Sequence, residues 1–129
     1  MANYLVRGLH HIGIRTDDPD RCAQFYIENL GFRLYQSYQA GPLKLVFVEL
    51  GGMVIEFIGN GAKETPGTVD HIAIEVQGID DLVDELKAKG VAFDTEKVGG
   101  MPTLFPNGSR NIFFRGPAGE RVELFEHKK

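Results

Sequence analysis

The sequence predicts an α+β fold built from two copies of a βαβββ module, on the strength of three observations. The chain of 129 residues contains 16 Gly and 6 Pro, which is too many for a helix bundle and typical of short strands joined by tight turns. A segment of the first half matches a segment of the second half at an offset of 60 residues. Each matching segment is followed by a pattern that predicts a helix and then by patterns that predict strands. The length of the chain fits one domain.

The repeat is clearest in the first and last strands of each module. Leu9–Ile14 aligns with Val69–Ile74, and both contain His, Ile, a small residue and Ile in that order. At an offset of 67 residues, Val54–Ile58 aligns with Arg121–Phe125. Such internal similarity predicts that the two halves repeat one unit of structure. Because neither half buries its apolar face easily alone, we expect the two to close around a shared concave surface that holds a ligand.

One helix is predicted in each module, directly after the first strand. In the first module Asp18 supplies an N-cap and Pro19 a first-turn proline, so a helix is expected over residues 21–30. In the second module acidic residues open a helix over residues 80–89. A glycine follows each of these segments and is expected to end the helix.

Three further strands are predicted after each helix. They are Phe32–Tyr38, Leu43–Leu50 and Met53–Ile58 in the first module, and Val91–Asp94, Asn111–Arg115 and Arg121–Glu126 in the second. The change of offset places about seven extra residues in Val98–Ser109, a Gly- and Pro-rich segment where we expect no regular structure. The modules are expected to span about residues 1–64 and 65–129, with a seam in the segment 59–67.

Composition excludes several classes of protein. The formal net charge of −4 argues against general electrostatic binding to nucleic acid or to an anionic membrane. The single cysteine, Cys22, excludes an intrachain disulfide. No apolar run approaches the roughly 18 to 20 residues of a membrane span, and the start of the chain lacks the apolar stretch of a signal peptide. We therefore expect a cytoplasmic domain.

Four polar residues occupy equivalent positions in the strands of the two modules: His11, Glu56, His71 and Glu123. Period-2 alternation places a small residue, Gly13 or Ala73, on the same face as each His, which leaves room for a ligand. A carboxylate inside an apolar strand is costly to bury alone, and a divalent cation shared with imidazoles would remove that cost. Two nitrogen and two oxygen ligands suit Zn, Ni, Co, Fe(II) or Mn. The alternative is a duplication that binds no metal.

The same alternation sorts the remaining polar residues. Arg15 falls on the face of His11, and Asn60 on the face of Glu56, so both are candidate substrate-binding residues. The alternatives are an exposed strand-end Arg and a turn residue. His10 and His127 are interpreted as ordinary polar residues, as is Glu126, the last two in a solvated tail.

Four motifs covering nearly the whole chain resemble one known superfamily: Leu9–Ile14, Phe25–Phe32, Asp70–Ile74 and Gly116–Leu124. The chain is similar in these motifs to the vicinal oxygen chelate superfamily, which includes glyoxalase I, methylmalonyl-CoA epimerase, extradiol dioxygenases, fosfomycin-resistance enzymes and bleomycin-binding proteins. The resemblance implies two βαβββ modules forming curved mixed sheets around a metal-containing cleft. It leaves the reaction open, since one fold hosts many functions.

The ligand set implied by the resemblance looks like that of bacterial glyoxalase I. Dioxygenases and fosfomycin enzymes of the superfamily generally use two His and one Glu, and epimerases tend to carry Gln at the position of Glu56. The resemblance thus implies an enzyme like lactoylglutathione lyase, which converts a thiol–2-oxoaldehyde hemithioacetal to a 2-hydroxyacyl thioester. Glu123 would be the base with Glu56 assisting, and Arg15 and Asn60 would hold glutathione or another thiol. One divalent ion is implied, Ni or Co ahead of Zn, Mn or Fe.

One segment departs from the glyoxalase pattern. Residues Val98–Arg110 are longer and more apolar than the corresponding loop, so that Leu104 and Phe105 are candidates to line the substrate pocket or cover the site. Two alternatives therefore stay open. One is another metal enzyme on this scaffold, such as an extradiol dioxygenase, thiol transferase or epimerase, and the other is a non-catalytic protein that binds a small molecule. A homodimer is expected, with each site built within one chain or across two.

Overall fold

The structure is a computed structural model that describes residues 3–60 and 67–128. The chain divides into two compact units: a first unit, His11–Asp70, and a second unit, Met1–His10 with His71–Lys129. The elements in chain order are β1 (Leu5–Arg15), α1 (Pro19–Leu30), β2 (Arg33–Ala40), β3 (Leu43–Leu50), β4 (Met53–Gly59), β5 (Val69–Gln77), α2 (Ile79–Ala88), β6 (Gly99–Met101), β7 (Ser109–Arg115) and β8 (Arg121–His127). The order βαβββ occurs twice, which confirms the predicted α+β class.

The first unit packs α1 on a mixed four-stranded sheet. The strand order is β2-β3-β4-β1, in which β4 pairs antiparallel with β3 and parallel with β1. The helix begins as predicted: the Asp18 side chain accepts a hydrogen bond from the backbone N–H of Arg21, and Pro19 takes the first helical position. Gly31, in the left-handed conformation, ends it. The core between helix and sheet is apolar and consists of Ala23, Phe32, Val46, Val48 and Phe57.

The second unit repeats this arrangement with α2. Its strands follow the order β5-β8-β7-β6, with β8 parallel to β5 and antiparallel to β7. The helix begins differently from α1: the Glu126 carboxylate on β8 accepts hydrogen bonds from the backbone N–H groups of Gly78 and Ile79. Its core consists of Val76, Ile79, Leu82, Val83, Ile112 and Leu124. No helix in the described part of the chain is long and apolar enough to cross a membrane.

Alternation in the strands separates an apolar face from a polar one. Ile14 and Ile74 pack against the helix-side cores of their units, so the Ile-rich faces of these strands lie under the helices. The cross-strand register places Gly13 opposite Glu56 and Ala73 opposite Glu123. Each glutamate therefore stands beside a residue with almost no side chain, on the face away from the helix.

The strand predictions are wrong in one region of the second unit. The predicted strand Val91–Asp94 is reduced to a bridge between Phe93 and Phe114, and the short strand Gly99–Met101 forms inside the segment predicted to be irregular. Phe93 packs on the core under α2, which explains why this position is apolar although the segment forms no strand. The glycines of β6 pair with β7 through the backbone alone and leave no hydrophobic pattern to detect. The predicted seam falls largely on residues 61–66, outside the described residues, and the module bounds stay predictions.

Candidate metal centre

The first unit brings His11 and Glu56 into direct contact. Their side chains are 1% and 7% exposed, and His11 Nε2 lies 3.3 Å from Glu56 Oε1. Phe47 is the cross-strand partner of Glu56, and its ring meets the His11 imidazole edge-on, with ring centroids 5.3 Å apart. The buried phenyl ring fixes the imidazole plane and keeps water from one side of the pair.

The second unit repeats the pair with His71 and Glu123. His71 Nε2 lies 3.2 Å from Glu123 Oε1, and both side chains are buried. Phe113 is the cross-strand partner of Glu123, and its ring meets the His71 imidazole at 5.4 Å and 82°. The Arg121 guanidinium stacks over the Phe113 ring, 3.7 Å from its centroid. Sequence repetition has thus produced the same local geometry twice.

Each His–Glu pair fits a divalent ion. Nitrogen and oxygen donors bonded to one ion at about 2.0–2.2 Å, at angles between a right angle and the tetrahedral angle, lie roughly 2.8–3.6 Å apart. The observed separations of 3.3 Å and 3.2 Å fall within that range. The only cysteine, Cys22, lies in α1 and contacts the Thr16 hydroxyl, so both pairs offer imidazole nitrogen and carboxylate oxygen alone. This donor chemistry suits Zn, Ni, Co, Mn or Fe(II).

Asn111 is a site residue that the sequence analysis missed. Its side-chain amide donates a hydrogen bond of 2.8 Å to Glu123 Oε2, the oxygen on the far side from the one that faces His71. The position lies two residues before Phe113 on β7, on the same face of the sheet. A polar residue on the face opposite to Ile112 was the available signal, but only the register between β7 and β8 shows what it contacts.

The candidate substrate-binding residues have distinct surroundings. Arg15 Nε donates to Asp70 Oδ1 at 2.7 Å, and the arginine side chain stays 35% exposed. Asn60 is exposed just after β4. Leu104 and Phe105 are buried between β6 and β7, and Phe105 has a φ of 64°. The roles assigned to all four in substrate binding stay predictions.

The interpretation of His127 and Glu126 as part of a solvated tail is wrong. His10 is 7% exposed and the His127 side chain only 4%, because Phe105 covers both rings. Glu126 holds the start of α2 through the backbone N–H of Gly78 at 2.6 Å. Alternation predicts an exposed or a buried face but does not anticipate that a distant loop returns over the end of a strand.

Comparison with known proteins agrees with this geometry. The family model described as the Glyoxalase/Bleomycin resistance protein/Dioxygenase superfamily matches residues 8–124. The uncharacterized protein YwkD of Bacillus subtilis is 30% identical over 131 aligned positions, which cover 95% of this chain and 98% of YwkD. The mitochondrial methylmalonyl-CoA epimerase of Homo sapiens is 32% identical over 116 positions, covering 75% of this chain and 64% of the human protein.

A solved structure shows the same fold. The methylmalonyl-CoA epimerase of Mycobacterium tuberculosis superposes with a TM-score of 0.81 at 23% identity, covering 100% of this chain and 93% of the other. At that identity the likeness concerns the fold, whereas the family model and YwkD match by sequence. The chain therefore belongs to the Glyoxalase/Bleomycin resistance protein/Dioxygenase superfamily.

Proposed function

We propose that this protein is a metal-dependent epimerase that removes and returns the proton on the carbon next to the carbonyl of a CoA thioester, with a methylmalonyl-type acyl group as substrate. The observation that carries the proposal is the duplicated, buried His–Glu pair, His11 with Glu56 and His71 with Glu123. The human relative named methylmalonyl-CoA epimerase supports the choice of substrate class over a hemithioacetal. The earlier interpretation as a glyoxalase I-like enzyme becomes the second candidate.

In this proposal His11, Glu56, His71 and Glu123 would be the ligands of one divalent ion, as the resemblance to the superfamily implies. A bound ion would supply Lewis acidity to the thioester carbonyl and so stabilise negative charge that develops there. Fixed ligands in buried surroundings keep that charge stabilisation preorganised, since no solvent needs to reorient. The Phe47 and Phe113 rings would hold the two imidazoles in orientation.

Glu123 is the proposed base. Asn111 donates a hydrogen bond of 2.8 Å to Oε2, which fixes the plane of the carboxylate that takes the substrate proton. The carbon–hydrogen electron pair moves into the enolate as Glu123 takes the proton. Glu56, in its acid form, returns a proton to the same carbon from the other side, so that the two carboxylates exchange protonation states in each turnover.

Solvent isotope exchange tests this proposal directly. The chain, reconstituted in turn with Co²⁺, Ni²⁺ and Zn²⁺, is incubated in D₂O with one epimer of methylmalonyl-CoA, and deuterium is followed by mass spectrometry. We expect metal-dependent epimerisation with deuterium in the product ahead of the substrate, because each proton comes from a different carboxylate. Glu123→Gln should keep the ion but lose turnover by several orders of magnitude. Unchanged turnover in that variant would overturn the proposed role.

The second candidate is isomerisation of a thiol–2-oxoaldehyde hemithioacetal, and Glu56 is the observation that favours it. Epimerases of the superfamily tend to carry Gln at this position, whereas here a carboxylate contacts His11 at 3.3 Å. Arg15 and Asn60 would then hold the thiol, glutathione or a similar compound, with Arg15 positioned by its ion pair to Asp70. The same metal-loaded samples, assayed for thioester formation from methylglyoxal and glutathione, decide between the two reactions. Turnover of the hemithioacetal but not of methylmalonyl-CoA would overturn the epimerase proposal.

A further inference from the structure

A second group of metal-binding side chains lies in the second unit, apart from the His71–Glu123 pair. It consists of His10 on β1, Glu75 on β5 and His127 on β8. Glu75 lies four residues beyond His71, and His127 four residues beyond Glu123, so about 13 Å of strand separates the two groups. Ala73 on β5 and Phe125 on β8 stand between them. The three residues therefore form a separate cluster on the same sheet.

The donor atoms of this cluster are spaced as ligands of one ion. His10 Nε2 lies 3.1 Å from His127 Nε2, the separation of two nitrogens bonded at about 2.1 Å to one ion at an angle slightly above 90°. Glu75 Oε2 lies 3.9 Å from His127 Nε2, and the three donors lie within 4.8 Å of one another. Because the Glu75 side chain is 18% exposed, it has room for the small movement that brings all three within bonding range.

Aromatic rings hold the two imidazoles in place. Phe105 stacks on His127 with centroids 4.5 Å apart and meets His10 edge-on at 5.7 Å. Phe125 packs against His10 at 4.7 Å. Two imidazoles buried among phenyl rings with their Nε2 atoms turned toward each other have lost most of their contact with water, which favours a shared ligand.

The cluster also has an open side. A cavity of about 480 Å³ reaches Glu75 and His127, and its wall includes Arg7, Lys128 and Glu126. Zinc sites that act on small molecules keep one coordination position open to such a cavity, whereas structural sites are closed by four protein ligands. The two cationic side chains would favour a small anion or a water molecule in that position.

We propose that His10, Glu75 and His127 form a site for a divalent transition-metal ion of the zinc type, distinct from the ion assigned to the His11, Glu56, His71 and Glu123 ligands. Two imidazoles and one carboxylate suit Zn²⁺, Co²⁺ or Ni²⁺ rather than Mg²⁺ or Ca²⁺, which prefer oxygen. The competing interpretation is a plain hydrogen bond in which one neutral imidazole donates to the other at 3.1 Å. The two interpretations differ in the number of ions that the chain binds.

Counting ions in matched variants tests the proposal. The metal-free full chain is titrated with Zn²⁺ by calorimetry, and with Co²⁺ by visible absorption, alongside His127→Gln and Glu75→Gln. We expect each variant to lower the affinity for one of the two ions by more than the roughly 10- to 100-fold that losing a ligand's hydrogen-bond partner costs. His71→Ala should keep the affinity for this ion and lose the binding of the other. Glu126→Gln is the matched control, because Glu126 lines the same cavity yet bonds to the backbone of α2.

The outcomes separate the two metal sites. Unchanged ion number and affinity in both His127→Gln and Glu75→Gln would overturn the proposal, and so would loss of all binding in His71→Ala. If a substitution unfolds the chain by circular dichroism, anomalous scattering from Zn²⁺-soaked crystals of the unaltered protein gives the answer. A peak bonded to both Nε2 atoms supports the site, and its absence from zinc-saturated crystals overturns it. Failure of the proposed epimerase assay leaves each of these readouts intact.

Discussion

The two units hold the same His–Glu pair in nearly the same geometry but support the carboxylate differently. The Nε2–Oε1 distances are 3.3 Å in the first unit and 3.2 Å in the second, and a phenyl ring meets each imidazole edge-on. In the second unit Asn111 donates a hydrogen bond to Glu123. The equivalent position of the first unit, two residues before Phe47, is Leu45, which has no polar side-chain atom. The two units have thus kept the His–Glu pair while the strand beside it differs.

This difference suggests a division of labour between the glutamates. A hydrogen bond from a neutral amide to one oxygen fixes the orientation of a carboxylate. Proton transfer in a fixed geometry requires such an orientation. Leu45 is buried, and its side chain carries no hydrogen-bond donor. We therefore expect the duplicated site to be symmetric in metal binding and asymmetric in catalysis, and four predictions test that expectation.

The largest effect is expected from comparing the two carboxylates. Glu123→Gln should lower kcat by about 10²- to 10⁴-fold, the typical contribution of a general base. Glu56→Gln should also lose inversion, because Gln has no proton to return from the other side, but it should keep deuterium exchange at the same carbon, which needs Glu123 alone. Inversion, deuterium exchange and metal content are measured for both variants on the same preparations. Equal losses of deuterium exchange would show that the two units contribute alike.

The next prediction concerns the rings behind the imidazoles. Phe47 is fully buried, whereas Phe113 is partly exposed with Arg121 stacked over it. Phe47→Ala should lower the free energy of unfolding by about 3–5 kcal/mol, because it leaves a cavity in the first unit. Phe113→Ala should lower it less, since water and the Arg121 side chain already reach that position.

Urea unfolding of the metal-free chain measures both effects. Phe25→Ala in α1 is the control, since the Phe25 side chain is 56% exposed and its removal should change the stability by no more than about 0.5 kcal/mol. A Phe113→Ala loss as large as that of Phe47→Ala would show that the second site depends on its phenyl ring as strongly as the first.

The comparison of the two units also shows which parts of the fold and of the candidate site follow from the sequence. The internal repeat and the alternation predicted the module order, and brought forward His11, Glu56, His71 and Glu123, because side-chain period and spacing are local properties. Asn111 was missed because its contact depends on the register of β7 against β8. His127 was misjudged because the segment containing Phe105 returns over it, a contact between positions far apart in sequence. The strand β6 was not predicted for a third reason: its glycines pair through the backbone and leave no side-chain pattern in the sequence.

Asn111 gives the third prediction, with an intermediate effect. Asn111→Leu makes the second unit like the first at this position and should lower kcat about 10- to 100-fold, as expected for a residue that orients a metal ligand. The metal content should stay nearly constant, because the His71–Glu123 contact remains. Ile112→Val is the matched control: it should cost about 0.5–1.5 kcal/mol of stability and leave kcat unchanged, since Ile112 packs under α2. A fall in kcat no larger than that of the control would contradict the positioning role.

The smallest effect is expected at two surface ion pairs, of which we compare one from each unit. Arg110 donates two hydrogen bonds, of 2.7 Å and 2.8 Å, to Asp80 in the second unit and holds the pKa of Asp80 below its ordinary value of 3.8. In the first unit Arg33 donates one bond of 2.7 Å to Glu49 and lowers the pKa of that carboxyl as well. A lowered pKa in the folded state means that the unfolded chain binds more protons in this range. The stabilisation is therefore complete above the ordinary pKa and is lost as the pH falls through the lowered one.

Asp80→Asn measures the contribution of the second-unit pair. Because the Asp80 side chain is 65% exposed, we expect a loss of only about 0.2–1 kcal/mol at neutral pH, shrinking to nothing in acid below the lowered pKa. About 1 M salt should remove most of it, since the screening length is then roughly 3 Å. Glu49→Gln, tested in parallel, shows whether the paired oxygens of the Arg110–Asp80 contact add to what a single bond gives. A difference from wild type that persists in acid and in salt would mean that Asp80 stabilises α2 through its backbone rather than through Arg110.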